Sequence, residues 1–362
     1  MHITGLPGYL FTHDKLEAYG NANFLKGGLV YADWVTTVSP TYSEEIKTAF
    51  FGEGLNGLLT ARGEQLSGIL NGIDVDAYNC ATDKALFANY STEDLSRKQV
   101  CKTELQKLLG LPVKDVPIIA MITRLVSHKG LDLVKTVAED ILHEDIQFIL
   151  LGTGDSAYEE YFRSLGNSYE GKMSANIAFN GDLSKKIYSG SDIFLMPSVS
   201  EPCGLSQMIA SRYATVPVVR ETGGLYDSIK PYGAGGNGFT FASCNPYDML
   251  YVVHEALDLY KNTEAWTALM KKAATTDFSW SRSAEDYKKV QDALGMDIEN
   301  LRIRDKLIVE CPDFMHQCGL SQIDFGNLFL DQKQVILHLN SSYEDSFLPP
   351  KAYHQYHKQD HK

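Results

Sequence analysis

The sequence predicts an α/β protein whose parallel sheet is wrapped by helices. Three observations carry that expectation. Between about residues 112 and 242, short apolar runs alternate with amphipathic stretches. Polar or glycine turns stand where those stretches begin, and three further amphipathic stretches follow. The strand candidates are Pro117 to Ile122, Ile146 to Leu151, Ile177 to Phe179, Asp192 to Met196, Val216 to Arg220 and Gly238 to Phe241. Between them lie helix candidates at Gly130 to Val137, Ala157 to Leu165, Ser184 to Gly190 and Gly204 to Tyr213. Six strands with their crossovers make one Rossmann-like, doubly wound domain. Upstream, Ser91-Thr-Glu-Asp94 opens a helix that runs to Leu109 and stops at Gly110. Downstream, Pro246 to Tyr260, Thr263 to Ala274 and Ser281 to Leu294 read as helices that close the domain.

The ends carry less. Residues 1–79 hold an aromatic helical stretch from Tyr19 to Tyr31, a short strand Trp34 to Val38, and a strand with its turn from Ser67 to Asp74. That is too little for an independent second domain of the same kind. Residues 80–294 form the main domain. Residues 295–362 read as an appended tail with one alternating run, Gln334 to Leu339, and a polar end containing His354, His357 and His361.

Composition narrows the function class. The chain has 362 residues, 44% hydrophobic and 22% charged, which is ordinary for a globular protein. A formal net charge of −13 argues against nucleic acid or an anionic membrane as partner. No run approaches the roughly 20 apolar residues of a bilayer span. The first residues lack a charged start followed by an apolar core, so a cytoplasmic location is expected, or a plastid if the source is plant-type. The six cysteines, at 80, 101, 203, 244, 311 and 318, form no Cys-x-x-Cys pair and are expected as free thiols. The tail histidines could suggest a metal but lie in a polar stretch without apolar structure around them and read as a disordered tail, no cluster of carboxylates has metal-ligand spacing, and no metal or cofactor is expected.

Three loops at strand ends describe a pocket for a sugar diphosphate. Arg124 and Lys129 follow the first strand of the main domain and can turn over the carboxyl edge of the sheet, where ligands of open α/β folds bind. A guanidinium fork and an ammonium point charge together suit a diphosphate, and Gly130 lets a helix start come close. Taken alone, the two cations would equally be solvated loop residues. Glu201 stands beside Pro202 and Gly204 after another strand, where its carboxylate could accept bonds from two sugar hydroxyls. The backbone N–H groups of Gly204, Leu205 and Ser206 would point at an anion, although a plain helix cap explains the same residues. Cys203 has no histidine near it in sequence and reads as lining. Thr222, Gly223 and Gly224 form a second phosphate-sized turn. Gly152-Thr-Gly-Asp155 lacks the third glycine of a dinucleotide fingerprint and reads as a tight strand-to-helix turn.

With these residues assembled, the chain resembles the bacterial glycogen synthases and plant starch synthases, glucosyltransferases with two facing Rossmann-like domains, the GT-B arrangement. The resemblance runs from about Phe24 to Leu294. It rests on Tyr31 to Tyr42, Leu66 to Asp74, Arg124 to Asp132, Gly190 to Pro197, Glu201 to Leu205, Thr222 to Leu225 and Asp277 to Trp280. It implies retaining transfer of glucose from ADP-glucose to the nonreducing end of an α-1,4-glucan without a metal. Arg124 and Lys129 would stabilise departing ADP, Glu201 would hold glucose hydroxyls, and amides from Cys203 to Ser206 would meet sugar and phosphate. Phe179 falls where the family stacks an aromatic ring on adenine, and Asn71 where the loop to the acceptor side enters the cleft. Residues 1–79 would be what remains of the amino-terminal domain, making the chain the carboxy-terminal half of the pair and a complementing amino-terminal domain a partner. Lys26-Gly-Gly-Leu29 looks like the family's phosphate-reaching loop but sits inside a helical motif and is a decoy. A non-catalytic remnant that binds ADP or ADP-glucose is the alternative. A nucleotide-sugar epimerase is disfavoured by Glu-Pro-Cys-Gly-Leu.

Overall fold

A computed structural model describes residues 5–294 and two short strands beyond them. Two strands, β1 (Glu17–Ala18) and β2 (Asn21–Ala22), form a small antiparallel ladder before α1 (Phe24–Tyr31). Asn23 caps α1 by accepting from the Lys26 N–H at 2.8 Å. Lys26 to Leu29 therefore lie within a helix, as the decoy reading expects. Then come β3 (Trp34–Thr37), α2 (Pro40–Glu45), α3 (Asn56–Arg62) and β4 (Leu66–Gly68). Leu29, Val35, Ile46, Leu59 and Leu66 make a small core of their own.

The larger body runs α4 (Lys98–Leu108), β5 (Ile118–Ile122), α5 (Leu131–His143), β6 (Gln147–Leu151), α6 (Ser156–Ser168), β7 (Met173–Asn176), α7 (Gly181–Gly190) and β8 (Ile193–Met196). It continues through α8 (Ser206–Arg212), β9 (Val216–Arg220), α9 (Gly223–Ser228), β10 (Phe239–Phe241), α10 (Pro246–Tyr260), α11 (Thr263–Thr275) and α12 (Trp280–Ala293). The six strands are parallel in the order β10-β9-β8-β5-β6-β7. Chain order therefore reverses between β5 and β8, and ligands of such sheets bind outside the carboxyl ends at that point.

Every residue of β5, β6, β8 and β9 is buried because helices cover both faces. Side chains alternate between two cores. Ile119, Met121, Phe148 and Leu150 face α5, α6, α10 and α11, whereas Ile118, Ala120, Ile122 and Ile149 face α4, α7 and α8.

Two sequence expectations shift. The third strand of the large sheet lies at Met173–Asn176, ahead of the apolar Ile177 to Phe179. It is the sheet edge, where polar side chains are tolerated. The helix expected from Ser91 begins at Lys98, because Ser91 and Asp94 close turns on the Asp94 and Ser96 N–H groups instead. Gly110, at φ +69°, follows its end as expected.

Two short strands, β11 (Ile308–Val309) and β12 (Ile336–Leu339), extend the small sheet, whose order is β11-β12-β3-β4. Ile336 stands opposite Trp34 and Leu339 opposite Thr37 in parallel register. The alternating run noted in the tail thus supplies a strand. Cys80, Cys101, Cys203 and Cys244 are free thiols, while Cys311, Cys318 and the three tail histidines lie outside the described residues. Among the described residues no group of histidine, cysteine or acidic side chains could hold a metal, and no helix is long and apolar enough to cross a membrane.

Candidate active site

The carboxyl ends of β5 and β8 bring the first two predicted loops together. After β5 the chain passes Arg124, half-buried, and pins Leu125 to the Gly152 to Asp155 turn through Leu125 N–H to Thr153 O and Asp155 N–H to Leu125 O, both 2.8 Å. A short turn, Ser127–Lys129, then carries the lysine inward. Gly130 ends it at φ +73°, and a Cβ there would stand 2.0 Å from the Pro197 carbonyl oxygen just after β8. Only glycine lets these two strand ends approach so closely.

Lys129 and Glu201 meet in that contact. The Lys129 ammonium donates to Glu201 Oε1 at 3.0 Å and Oε2 at 2.8 Å, and the Ser198 hydroxyl donates to Oε2 at 2.8 Å. Lys129 is 5% exposed and Glu201 1% exposed, so the pair is held out of water. Burial of that depth is uncommon for either residue type unless it is paired.

The turn bearing Glu201 is gripped from both sides. Val199 N–H donates to the His128 carbonyl at 2.8 Å. On the other flank, Arg220 at the end of β9 donates Nε to Ser198 O at 2.7 Å and Nη2 to Val199 O at 2.5 Å. Burial pushes the Arg220 guanidinium below its ordinary value, with the Cys244 thiol and the Glu45 carboxyl opposing it.

Gly204, at φ +69°, and the Leu205 cap lead into α8. Gln207 ties this bend down by donating to Gly204 O at 2.7 Å and Ser228 Oγ at 3.0 Å. Cys203 is buried in the apolar core beneath. The Thr222 turn seats directly on this loop. Gly224 N–H donates to the carbonyls of Glu201 and Pro202 at 3.1 and 3.0 Å, and a Cβ on Gly223, at φ +43°, would stand 2.0 Å from Glu201 O.

The Thr222 turn is engaged from the small sheet as well. Glu45, the last residue of α2, accepts from the Thr222 hydroxyl at 2.9 Å and the Gly223 N–H at 3.0 Å. Burial pushes its carboxyl up, against the lowering pull of those two donors. In return Asp227 of α9 accepts from the Ser39 hydroxyl, the Thr41 N–H at 3.1 Å and the Thr41 hydroxyl at 2.6 Å at the start of α2. These two helices cap each other.

Phe179 lies in the β7–α7 connection and is 57% exposed. Asn71 stands apart from the other candidates. It lines a cavity of about 210 Å³ with Pro40, Asp227, Asp277, Ser279 and Arg282, where α12 meets the two capped helices. Its Oδ1 is buried without a hydrogen-bond partner. Ser198, Arg220 and Glu45 were missed by the motif reading. Arg220 had a signal, a cation closing a strand immediately before Glu221-Thr-Gly-Gly224, the same pattern that singled out Arg124.

A family model for the starch synthase catalytic domain matches residues 1–61, and one for glycosyl transferases group 1 matches residues 106–273. The glycogen synthase of Pseudothermotoga lettingae is 51% identical over 300 residues, covering 81% of this chain and 62% of that protein. The chain is a homologue of the glycogen and starch synthases. The glycogen synthase of Geobacillus thermodenitrificans is 50% identical over 296 residues, with 81% and 61% covered. Starch synthase IV of Arabidopsis thaliana, solved as its catalytic domain bound to ADP and acarbose, superimposes with a TM-score of 0.76 at 36% identity, covering 80% of this chain and 62% of that one. A sucrose-phosphate synthase from Thermosynechococcus elongatus, at 18% identity and a TM-score of 0.52 over 74% and 59% of the two chains, shares the fold alone. The fold is that of the GT-B glycosyltransferases. The chain spans about three-fifths of the length of the curated relatives it matches. Those relatives are bacterial, and the plastid alternative is not borne out.

Proposed function

We propose that this chain carries the donor half of a retaining glucosyltransferase that moves glucose from ADP-glucose to the nonreducing end of an α-1,4-glucan. The observation that supports it most is the buried Lys129–Glu201 pair at the point where strand order reverses, in a chain half identical to glycogen synthases. In this reading residues 80–294 form the nucleotide-sugar domain, residues 1–79 belong to the amino-terminal domain, and residues 295–362 are an appended segment. The enzyme works in the cytoplasm.

Arg124 and Lys129 supply the cations for the leaving diphosphate. Charge developing on that phosphate is met by groups already fixed in place, the usual source of the largest rate term. Glu201, oriented by Ser198 and neutralised by Lys129, offers its oxygens to glucose hydroxyls. Backbone amides of Cys203, Gly204, Leu205 and Ser206 and the turn Thr222-Gly223-Gly224 border sugar and phosphate. Phe179 stacks on adenine, and Asn71 faces the acceptor side. The ADP seen in starch synthase IV supports the choice of base.

Titration calorimetry with ADP and ADP-glucose tests the reading. Wild type should bind both, and Arg124→Ala should lose at least tenfold in affinity for ADP, about 1.4 kcal/mol. Failure of a folded wild-type chain to bind either ligand would overturn it. Binding without any transfer to a glucan, even with an amino-terminal domain supplied, would return the protein to the remnant reading.

A further inference from the structure

Arg220 is an odd residue to bury. Its side chain donates to Ser198 O at 2.7 Å, Val199 O at 2.5 Å and Ala242 O at 3.4 Å, all backbone carbonyls. A guanidinium at 9% exposure loses much of its hydration, and three neutral acceptors return only part of it. Packing alone would be served as well by an apolar side chain of similar length. What the guanidinium fork does, and an apolar chain cannot, is fix two successive carbonyls of one turn in a single plane.

That turn is the one that aims Glu201. Ser198 carries both the carbonyl held by Arg220 Nε and the hydroxyl that donates to Glu201 Oε2 at 2.8 Å. Val199, held through its carbonyl by Arg220, is held through its N–H by His128. The backbone between the lysine loop and β9 is therefore pinned on both flanks, and the carboxylate at its end has one orientation toward Lys129.

We infer that Arg220 is a positioning residue for Glu201, acting through the Ser198-Val199 backbone without touching the donor. The inference rests on the proposed role of Glu201 in holding the sugar. It makes a prediction that a merely structural role does not. Loosening the turn should weaken contacts to glucose while leaving those to ADP, made by the loop cations, in place.

The experiment compares ADP and ADP-glucose affinities by calorimetry in wild type, Arg220→Lys and Arg220→Met, with hydrogen exchange of the Val199 amide measured in parallel. Lysine keeps the charge and loses the planar fork. The expected result is a fall of at least tenfold in ADP-glucose affinity for Arg220→Met with ADP affinity within about twofold of wild type, partial recovery in Arg220→Lys, and faster exchange at Val199 in both. Equal losses for both ligands, or an unchanged ADP-glucose to ADP ratio, would overturn it. Should Arg220→Met fail to fold, Arg220→Lys decides by the same ratio, a shift of threefold or more supporting the role. If wild type binds neither ligand, the functional reading fails, and the Val199 exchange rate alone judges the grip: unchanged exchange in Arg220→Lys refutes it.

Discussion

Replacing Lys129 by methionine removes the ammonium from Glu201 while nearly preserving the volume of the stem. At the observed 2.8 Å, two unit charges attract by about 6 kcal/mol at an effective dielectric of 20. The variant no longer desolvates an ammonium, which returns part of that. The net cost should be about 3–5 kcal/mol, the usual price of stranding one member of a buried pair. Replacing both, as Lys129→Met with Glu201→Gln, leaves no stranded charge and should lie within about 2 kcal/mol of wild type. Urea unfolding of the four proteins of this cycle gives the coupling directly. A loss below about 1 kcal/mol for Lys129→Met, or a double variant as unstable as the sum of the singles, would show that the pair is not held out of water as described.

Three other outcomes are expected. Gly223→Ala places a Cβ 2.0 Å from Glu201 O at a positive φ and should cost well over 1 kcal/mol in unfolding and displace the Glu201 loop, seen as lost ADP-glucose binding; a neutral effect would refute the close seating of the two turns. Lys98 is fully buried against the carbonyls of Ser189 and Tyr213, and burial lowers its pKa from 10.5 to about 8. The native state then binds fewer protons than the unfolded one between those values, so wild type should gain about 2 kcal/mol relative to Lys98→Met from pH 7 to 9.5, and a flat difference would contradict the burial. Glu45→Ala leaves the Thr222 hydroxyl and Gly223 N–H without their acceptor and should lower stability by about 1–3 kcal/mol, visible as a reduced Tm; an unchanged Tm would show that water replaces the carboxylate.

What the sequence made legible followed from local chemistry. Apolar runs such as Ile118 to Ile122 announce a strand because both faces of the sheet are covered, and glycines at turns announce where backbone must pass close to backbone. The edge strand Met173–Asn176 was obscured because one-sided pairing admits serine and asparagine, which carry no strand signal. Lys129 and Glu201 were readable as separate motif members. Their contact, across 72 residues, was not. Glu45 gave no sign at all, since a carboxylate at the end of a helix ordinarily faces water, and only the fold brings it to Thr222 across 177 residues.

The mutual capping of α2 and α9 has a mechanical consequence. Asp227 receives three hydrogen bonds from Ser39 and Thr41, and Glu45 receives two from Thr222 and Gly223. Two six-residue rods riveted at both ends behave as one lever. Sliding the body built on β3 and β4 along α9 would break all five of these bonds, and one end of that joint is the Thr222 turn, which seats on the loop that carries Glu201.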